Sequence, residues 1–176
     1  VSYLIEYKFH LDLQERSSRI QSKLEDFSDA SKRRIRMTEK LKEIFGDRIK
    51  ENELLSKHLV FRVGGPAKWF ATAQSADEIK AAIELCHESK IEYVVLGGGS
   101  NIIASDQGYE GLVLKIGIMD SNIEGTNVTV GAGVPSVALA RQMADAGLSG
   151  LEWMVSLPGT VGGAIRGNAG CFGGEV

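Results

Sequence analysis

The sequence is poor in residues that crosslink or interrupt a chain, with two cysteines, three prolines and two tryptophans among 176 residues. Cys86 and Cys171 are far apart and in no metal-ligand spacing, so we expect two reduced thiols and no metal site. No apolar run approaches the roughly 18 residues that a membrane-spanning helix needs. A formal net charge of −3 is too small to indicate a nucleic-acid or membrane-surface partner. These absences favour a soluble cytoplasmic protein, and we expect it to be a monomer.

Glycine is almost missing from the first third of the chain and dense in the remainder. Only Gly46 precedes residue 58, and the other 20 of the 21 glycines follow it. Charge shows the opposite trend, since residues 1–57 hold 13 of the 20 lysines and arginines. The sequence therefore divides into a charged, glycine-poor first part and a glycine-dense, mostly apolar second part.

The first part predicts two helices with a break between them. Residues 12–27 have weak amphipathic spacing, residues 28–31 interrupt it, and Thr38–Phe45 resumes it. The basic run at residues 32–36 has no interleaved aromatic residues, so solvated charge is the expected interpretation rather than a nucleic-acid patch. We expect Met37 to be the natural start of the functional protein, preceded by an extension without a chemical role.

From residue 58 onward the pattern becomes α/β. Trp69–Ala73 predicts a strand, and Ser75 with Glu78 forms the signature of a capping box that opens a helix ending near Ser89. Tyr93–Leu96 is a short apolar strand of the kind buried on both faces. A connection of this length favours a parallel β-α-β unit with a right-handed crossover.

A second small α/β group follows. Leu112–Ile116 and Val128–Val130 predict strands, and Ser136–Ala146 predicts a helix that Gly147 ends as a C-terminal cap. The order of elements fits an α+β layout of two small subdomains, joined somewhere within residues 98–112.

The first glycine loop directly follows the predicted strand Tyr93–Leu96. Gly97-Gly98-Gly99 therefore emerges at the carboxyl edge of the sheet, where α/β proteins bind ligands. Three residues without Cβ atoms let a phosphate approach the backbone, and consecutive N–H groups can form an anion nest, to which Ser100 and Asn101 add side-chain donors. The loop predicts a diphosphate site, with an unliganded tight turn as the alternative.

Neither common nucleotide motif accounts for this loop. A G-x-G-x-x-G fingerprint would need glycine at position 102, which is Ile102, and no Gly-Lys pair exists for a P-loop. A second bare stretch, residues 156–170, suits a flat ring or another part of the same cofactor lying against the main chain. Arg62 and Arg166 offer charge to a phosphate or carboxylate, with surface arginines as the equal alternative.

Six ordered motifs match one family. Phe61–Ala67, Leu96–Asn101, Gly131–Gly133, Gly147–Glu152, Leu157–Ala164 and Asn168–Glu175 occur in the order and at spacing similar to UDP-N-acetylenolpyruvoylglucosamine reductases (MurB). The chain resembles this family over residues 38–176. The resemblance implies an α+β FAD-binding domain of the MurB/vanillyl-alcohol-oxidase-like (PCMH) type, built of two small α/β subdomains after a helical N-terminal extension.

The resemblance also implies a division of the chain and a chemistry. Residues 1–36 would be the extension, 37–57 a helix and linker, and 58–176 the FAD-binding domain, with subdomains at about 58–104 and 105–176. NADPH would reduce a non-covalent FAD, which would reduce the enolpyruvyl group of UDP-N-acetylglucosamine enolpyruvate to give UDP-N-acetylmuramate for peptidoglycan synthesis. The implied FAD contacts are Val63, Leu96, Gly97, Gly98, Gly99, Ser100, Asn101, Ile102, Ala132, Gly133, Leu157, Pro158, Gly159, Thr160, Gly162, Gly163, Ala164, Asn168 and Gly170.

The family's catalytic groups have no counterpart in this chain. They are an arginine beside a tyrosine, a serine proton donor and a late glutamate, and Arg166 lies inside the flavin loop instead. Because a carbanion left by hydride addition needs a positioned acid, we expect the chain to bind FAD without turning over substrate. Two alternatives remain open, an FAD-dependent oxidase of the wider fold family and a catalytically incomplete FAD-binding module.

Overall fold

The computed structural model describes the backbone of residues 2–176 and the side chains of residues 16, 19–23, 25, 26, 28 and 30–176. The helices are α1 Ser2–Phe45, α2 Ala76–Ser89, α3 Ser136–Asp145 and α4 Val161–Gly167. The strands are β1 Ile49–Leu54, β2 Pro66–Ala73, β3 Tyr93–Leu96, β4 Tyr109–Ile116, β5 Ser121–Glu124, β6 Asn127–Val130, β7 Gly170–Cys171 and β8 Gly174–Glu175. Short 3-10 turns occupy Gly46–Arg48, Leu55–Lys57 and Glu152–Ser156.

The chain divides into two compact units, residues 1–40 and 41–176. The predicted break at residues 28–31 is wrong, because α1 is continuous across it. Its Ser-Asp-Ala-Ser sequence contains neither glycine nor proline, and each of these residues lowers helix propensity by less than about 1 kcal/mol. No described helix is long and apolar enough to cross a membrane.

A four-stranded sheet in the order β1-β2-β4-β3 carries the first glycine loop. β2, β4 and β3 run parallel, and β1 pairs antiparallel with β2. The predicted parallel β-α-β unit is confirmed, with β4 inserted between its two strands, while the hand of the crossover stays a prediction. Burial of β3 on both faces is wrong: as an edge strand it leaves Val94 39% and Val95 46% exposed.

The two faces of this sheet carry different cores. Trp69, Ala71 and Leu114 are buried on one face, and α2 contacts β2 without contributing a buried residue to the core on the other face. On the other face, Phe70, Val113 and Leu96 pack against Leu55 and Leu59 from the segment that follows β1. Successive residues of a strand face opposite sides of the sheet. The second face is therefore the one that carries Leu96, the last residue before the glycine loop.

The rest of the chain forms a smaller group around α3. β5 and β6 pair as a hairpin, and the apolar side of α3 packs with Val134 and Val161. The predicted cap at Gly147 is confirmed: its φ is +72°, its N–H donates to the Ala144 carbonyl and the Leu148 N–H donates to the Met143 carbonyl. This pair of bonds is a Schellman motif, which ends the helix.

Candidate cofactor-binding site

The first glycine loop forms a cradle at the carboxyl end of β3. Residues 98–102 lie outside the helices and strands, and none of their backbone amides donates a hydrogen bond to a backbone carbonyl of the described chain. Backbone N–H groups are obligatory donors, and a run of them without protein partners is suited to an anion. The cradle, defined as residues 97–102, therefore keeps the donors that a phosphate group needs.

The missing Cβ atoms of the cradle face protein rather than open space. A Cβ on Gly97 would lie 2.8 Å from Thr160 Oγ1, and one on Gly98 would lie 2.8 Å from the Gly159 Cα. The Ser100 hydroxyl donates to the Pro158 carbonyl at 3.3 Å. The sequence argument that these glycines make room for a phosphate is corrected: they let two loops touch, and the contact fixes the cradle.

A third segment holds the cradle from the other side. Gly99 has a φ of +68°, and a Cβ there would clash with the His58 carbonyl oxygen. The Val60 N–H donates to the Gly99 carbonyl at 3.0 Å. Val63 belongs to this segment and is 43% exposed. The Gly64–Gly65 turn packs against residues 104–108 rather than against the cradle.

The second glycine stretch is a loop followed by a helix, not the long bare loop that the sequence predicts. Thr160 caps α4, its hydroxyl accepting from the Gly163 N–H at 3.4 Å. The Gly162 N–H donates to the Ala132 carbonyl at 3.0 Å, and a Cβ on Gly162 would lie 2.7 Å from the Ala132 Cβ. Glycine here permits close packing, which outweighs its weak helix propensity.

The remaining predicted residues differ in their distance from the cradle. Gly133 follows Ala132, the residue against which Gly162 packs, and the Gly133 N–H donates to the Ile118 carbonyl at 2.9 Å. Asn168 is the left-handed C-cap of α4, and Gly170 begins the β7–β8 hairpin, so both lie at the opposite end of that helix from Thr160. Arg62 and Arg166 are both exposed. The structure joins residues 97–100 to 158–163, and leaves Asn168 and Gly170 apart.

A partly buried ionisable cluster adjoins the segment that holds the cradle. His58 stacks on Phe70 with ring centroids 4.0 Å apart, and its Nε2 is 3.1 Å from Glu53 Oε1. Burial lowers the pKa of His58, so the imidazole is neutral near pH 7. Burial raises the pKa of Glu53, but hydrogen bonds from His58 and Lys57 outweigh it and the carboxyl remains ionised. The cluster couples β1 to the segment that holds Gly99.

An apolar groove of about 340 Å³ adjoins the cradle. It shares Ile102 with the cradle, includes Leu96 just before it, and is otherwise lined mainly by aliphatic side chains, among them Leu55, Leu59 and Ile103. A volume of this order lies at the lower end of the range for small-molecule sites, which are mostly apolar with a few polar groups. The site thus combines anion-binding amides with a place for an apolar ring.

Sequence reasoning missed two polar residues near this site. Ser136 begins α3, its N–H donates to the Gly159 carbonyl, and its buried hydroxyl has no partner among the described residues. Lys115 interrupts the apolar run of β4 and is half-buried. A lysine inside a predicted core strand was the one available signal, whereas nothing in the sequence marks Ser136. No group of three metal-ligating side chains occurs within the described part of the chain.

These features define a cofactor-binding α+β module, with donor amides at the carboxyl edge of a parallel sheet and a second loop fixed against them. The chain belongs to the family described as FAD binding domain, whose model matches residues 67–176. The predicted fold class and the FAD cofactor are thereby confirmed. The residues present fit such a cofactor, because the unused cradle amides and the orphaned Ser136 hydroxyl are polar groups in need of partners.

Two reductases are similar to this chain. It is 47% identical over 119 residues to the UDP-N-acetylenolpyruvoylglucosamine reductase of Azorhizobium caulinodans, covering 66% of this chain and 38% of the reductase. The crystal structure of MurB from Thermus caldophilus aligns with a TM-score of 0.60 and 34% identity, covering 72% of this chain and 45% of that one. The predicted family resemblance is confirmed, and the chain spans less than half the length of either reductase.

A more distant neighbour bears on the fold alone. p-Cresol methylhydroxylase aligns with a TM-score of 0.50 and 15% identity, covering 64% of this chain and 25% of that one. Together with the reductase structure, it supports the predicted PCMH-type fold.

Proposed function

We propose that this chain is the FAD-binding part of a cytoplasmic UDP-N-acetylenolpyruvoylglucosamine reductase. The observation that carries the proposal is the cradle of unused amides, residues 98–102, at the sheet edge of a chain whose relatives are reductases of this name. Bound FAD would carry two electrons from NADPH to the enolpyruvyl double bond of UDP-N-acetylglucosamine enolpyruvate. The product, UDP-N-acetylmuramate, serves peptidoglycan synthesis.

In this proposal the chain's own residues bind and orient the cofactor. The amides of residues 98–102 hold the diphosphate, and the contacts of Gly97 and Gly98 with Thr160 and Gly159 keep those amides aligned. The groove beside Leu96 and Ile102 receives one of the ring systems and excludes water from it. The predicted contacts to Asn168 and Gly170 require a ligand that extends along α4. At 1.5 Å per residue, the C-terminal end of this helix lies about 10 Å from its first residue.

The chain on its own is proposed to bind FAD without reducing substrate. The proton donor and the other catalytic groups that the resemblance implies match no residue here, and proton delivery to the substrate needs such a positioned acid. An FAD-dependent oxidase of the wider fold is the second candidate. The 34% to 47% identity to reductases, against 15% to the oxidising neighbour, favours the reductase.

FAD binding is tested by titrating the purified chain with FAD and measuring the quenching of flavin fluorescence at each addition. We expect saturable binding, release of all flavin into the supernatant after boiling, and no oxidation of NADPH beyond the free-flavin rate when substrate is added. Absence of FAD binding would refute the proposal that the chain binds a flavin. Oxidation of a sugar or alcohol by the flavin-loaded chain would favour the oxidase instead.

A further inference from the structure

Lys115 occupies a defined position beneath the cradle. The register pairs Lys115 with Leu96 on β3 and with Thr72 on β2. Paired residues of neighbouring strands share one face of a sheet, and Leu96 lies in the core on the face covered by Leu55 and Leu59. The Lys115 side chain is therefore on the face of the cradle-holding segment, in the last paired row before Gly97.

The same placement follows from the electrostatics of His58. Burial is the main cause of the lowered pKa of His58, and the positive charge of Lys115 lowers it further. A charge must be near a group to act on it, and His58 contacts Gly99 of the cradle through its carbonyl. Lys115 thus lies near the imidazole of the residue whose backbone carbonyl borders Gly99.

Lys115 has no carboxylate partner in the described chain. Its ammonium group makes no hydrogen bond or ion pair there, although the residue is half-buried. Among the described residues, the one acidic group that acts on His58 is Glu53, and it is already shared by Lys50 at 3.6 Å and Lys57 at 3.3 Å. With one carboxylate among three lysines, this neighbourhood carries an excess of positive charge that an anion would neutralise.

We propose that Lys115 supplies the positive charge of the cofactor site, its ammonium binding a phosphate oxygen of the FAD diphosphate held by the cradle. The inference rests on the proposed function. The amides of residues 98–102 give directed hydrogen bonds, and Lys115 adds the full charge that those dipoles lack. Its long stem packs along the Leu96 face while the ammonium reaches the ligand.

The test compares FAD, ADP and riboflavin binding by the parent chain and four variants, at salt from about 50 to 300 mM. Lys115→Gln and Lys115→Met remove the charge, Lys115→Arg keeps it, and Lys80→Gln on the exposed face of α2 is the matched control. We expect the two neutral variants to bind FAD and ADP about tenfold more weakly, as loss of one charge-assisted contact predicts. Their salt dependence should flatten, because one screened charge pair is gone.

Riboflavin separates a charge effect from a structural one, since it has no phosphate. Its affinity should be the same in the parent chain and in Lys115→Met, and Lys115→Arg should retain most of the FAD affinity. Equal weakening of riboflavin and FAD, or unchanged FAD binding with an unchanged salt slope, would overturn the role of Lys115 and leave the proposed function standing. Failure of the parent chain to bind FAD at all would remove both.

Discussion

At the scale of single residues, the site depends on where side chains are absent. The Cβ positions of Gly97, Gly98 and Gly162 are each within 2.8 Å of another loop, so the amides of residues 98–102 owe their alignment to backbone packing. Gly167 at the end of α4 is different, because nothing lies within 4 Å of its Cβ position. Alanine substitutions at these two kinds of position therefore distinguish the loss of close backbone packing from the mere replacement of a glycine.

Gly98→Ala should weaken FAD binding, with Gly167→Ala as its control. The new methyl group meets the Gly159 backbone, so the two loops must separate, at a cost of about 1–3 kcal/mol of stability. Gly167→Ala has room and an ordinary φ, and it should leave the free energy of unfolding unchanged or raise it by up to about 1 kcal/mol. Urea unfolding and FAD titration measure both effects; equal behaviour of the two variants would contradict the packing role.

His58 should make the stability of the chain depend on pH below neutrality. Its pKa is lowered in the folded state, so the unfolded chain binds the proton more readily, and stability is lost as pH falls from the ordinary value of 6.5 through the folded pKa. His58→Gln should therefore show a shallower fall in the unfolding midpoint between about pH 7.5 and 5.5. His87→Gln is the control, and slopes that match in all three proteins would exclude His58 as the source.

At the scale of elements, α2 shows how far local chemistry determines structure. The predicted helix start is confirmed, since the Glu78 N–H donates to Ser75 Oγ at 3.2 Å. The reciprocal bond differs from the predicted box, because the Glu78 carboxylate accepts from the Gln74 N–H at 2.7 Å and from Arg48. The hydrogen bond from Arg48 lowers the pKa of Glu78 below its ordinary value, and burial, the next largest effect, opposes this shift. The start of α2 is thus also a tertiary contact.

Ser75→Ala should lower the free energy of unfolding by about 1 kcal/mol, because the Glu78 N–H loses its acceptor. Ser89→Ala replaces an exposed serine at the last residue of the same helix and should change stability by a few tenths of a kcal/mol at most. Urea midpoints compared at equal m-values decide the matter. Should the two variants be equally stable, Glu78 alone would be sufficient to begin the helix.

Elements whose signal lies in a few neighbouring residues were predictable, and those set by distant contacts were not. Ser75 and Gly147 carry their cap chemistry in the sequence, and the glycine run after Leu96 marks the sheet edge. β1 has the polar sequence Ile-Lys-Glu-Asn-Glu-Leu and becomes a strand by pairing with β2. α4 forms at Val161–Gly167, despite three glycines, since Thr160 caps it and Ala132 receives Gly162. Such contacts, like the charge balance around Lys115, exist only after folding.

At the scale of the whole molecule, the cradle and the two cores belong to the unit of residues 41–176. The cradle is held by the segment after β1, by β3 and by the loop before α4, which are distant in sequence. A ligand that binds all three should resist any opening that separates them, since binding to the folded state stabilises it by mass action. The question that follows is whether α2, on the opposite face of the sheet, opens together with the cradle.

Cys86 can report on this coupling. The thiol is fully buried on α2, and burial raises its pKa to about 11, so it should react with an aromatic disulfide only when the chain opens. In a Cys171→Ser background, which removes the more accessible cysteine, FAD at about 100 times its Kd should slow modification by about 100-fold if α2 and the cradle open as one unit. An unchanged rate with FAD bound would mean that α2 opens alone, and that the sheet separates two regions of independent stability.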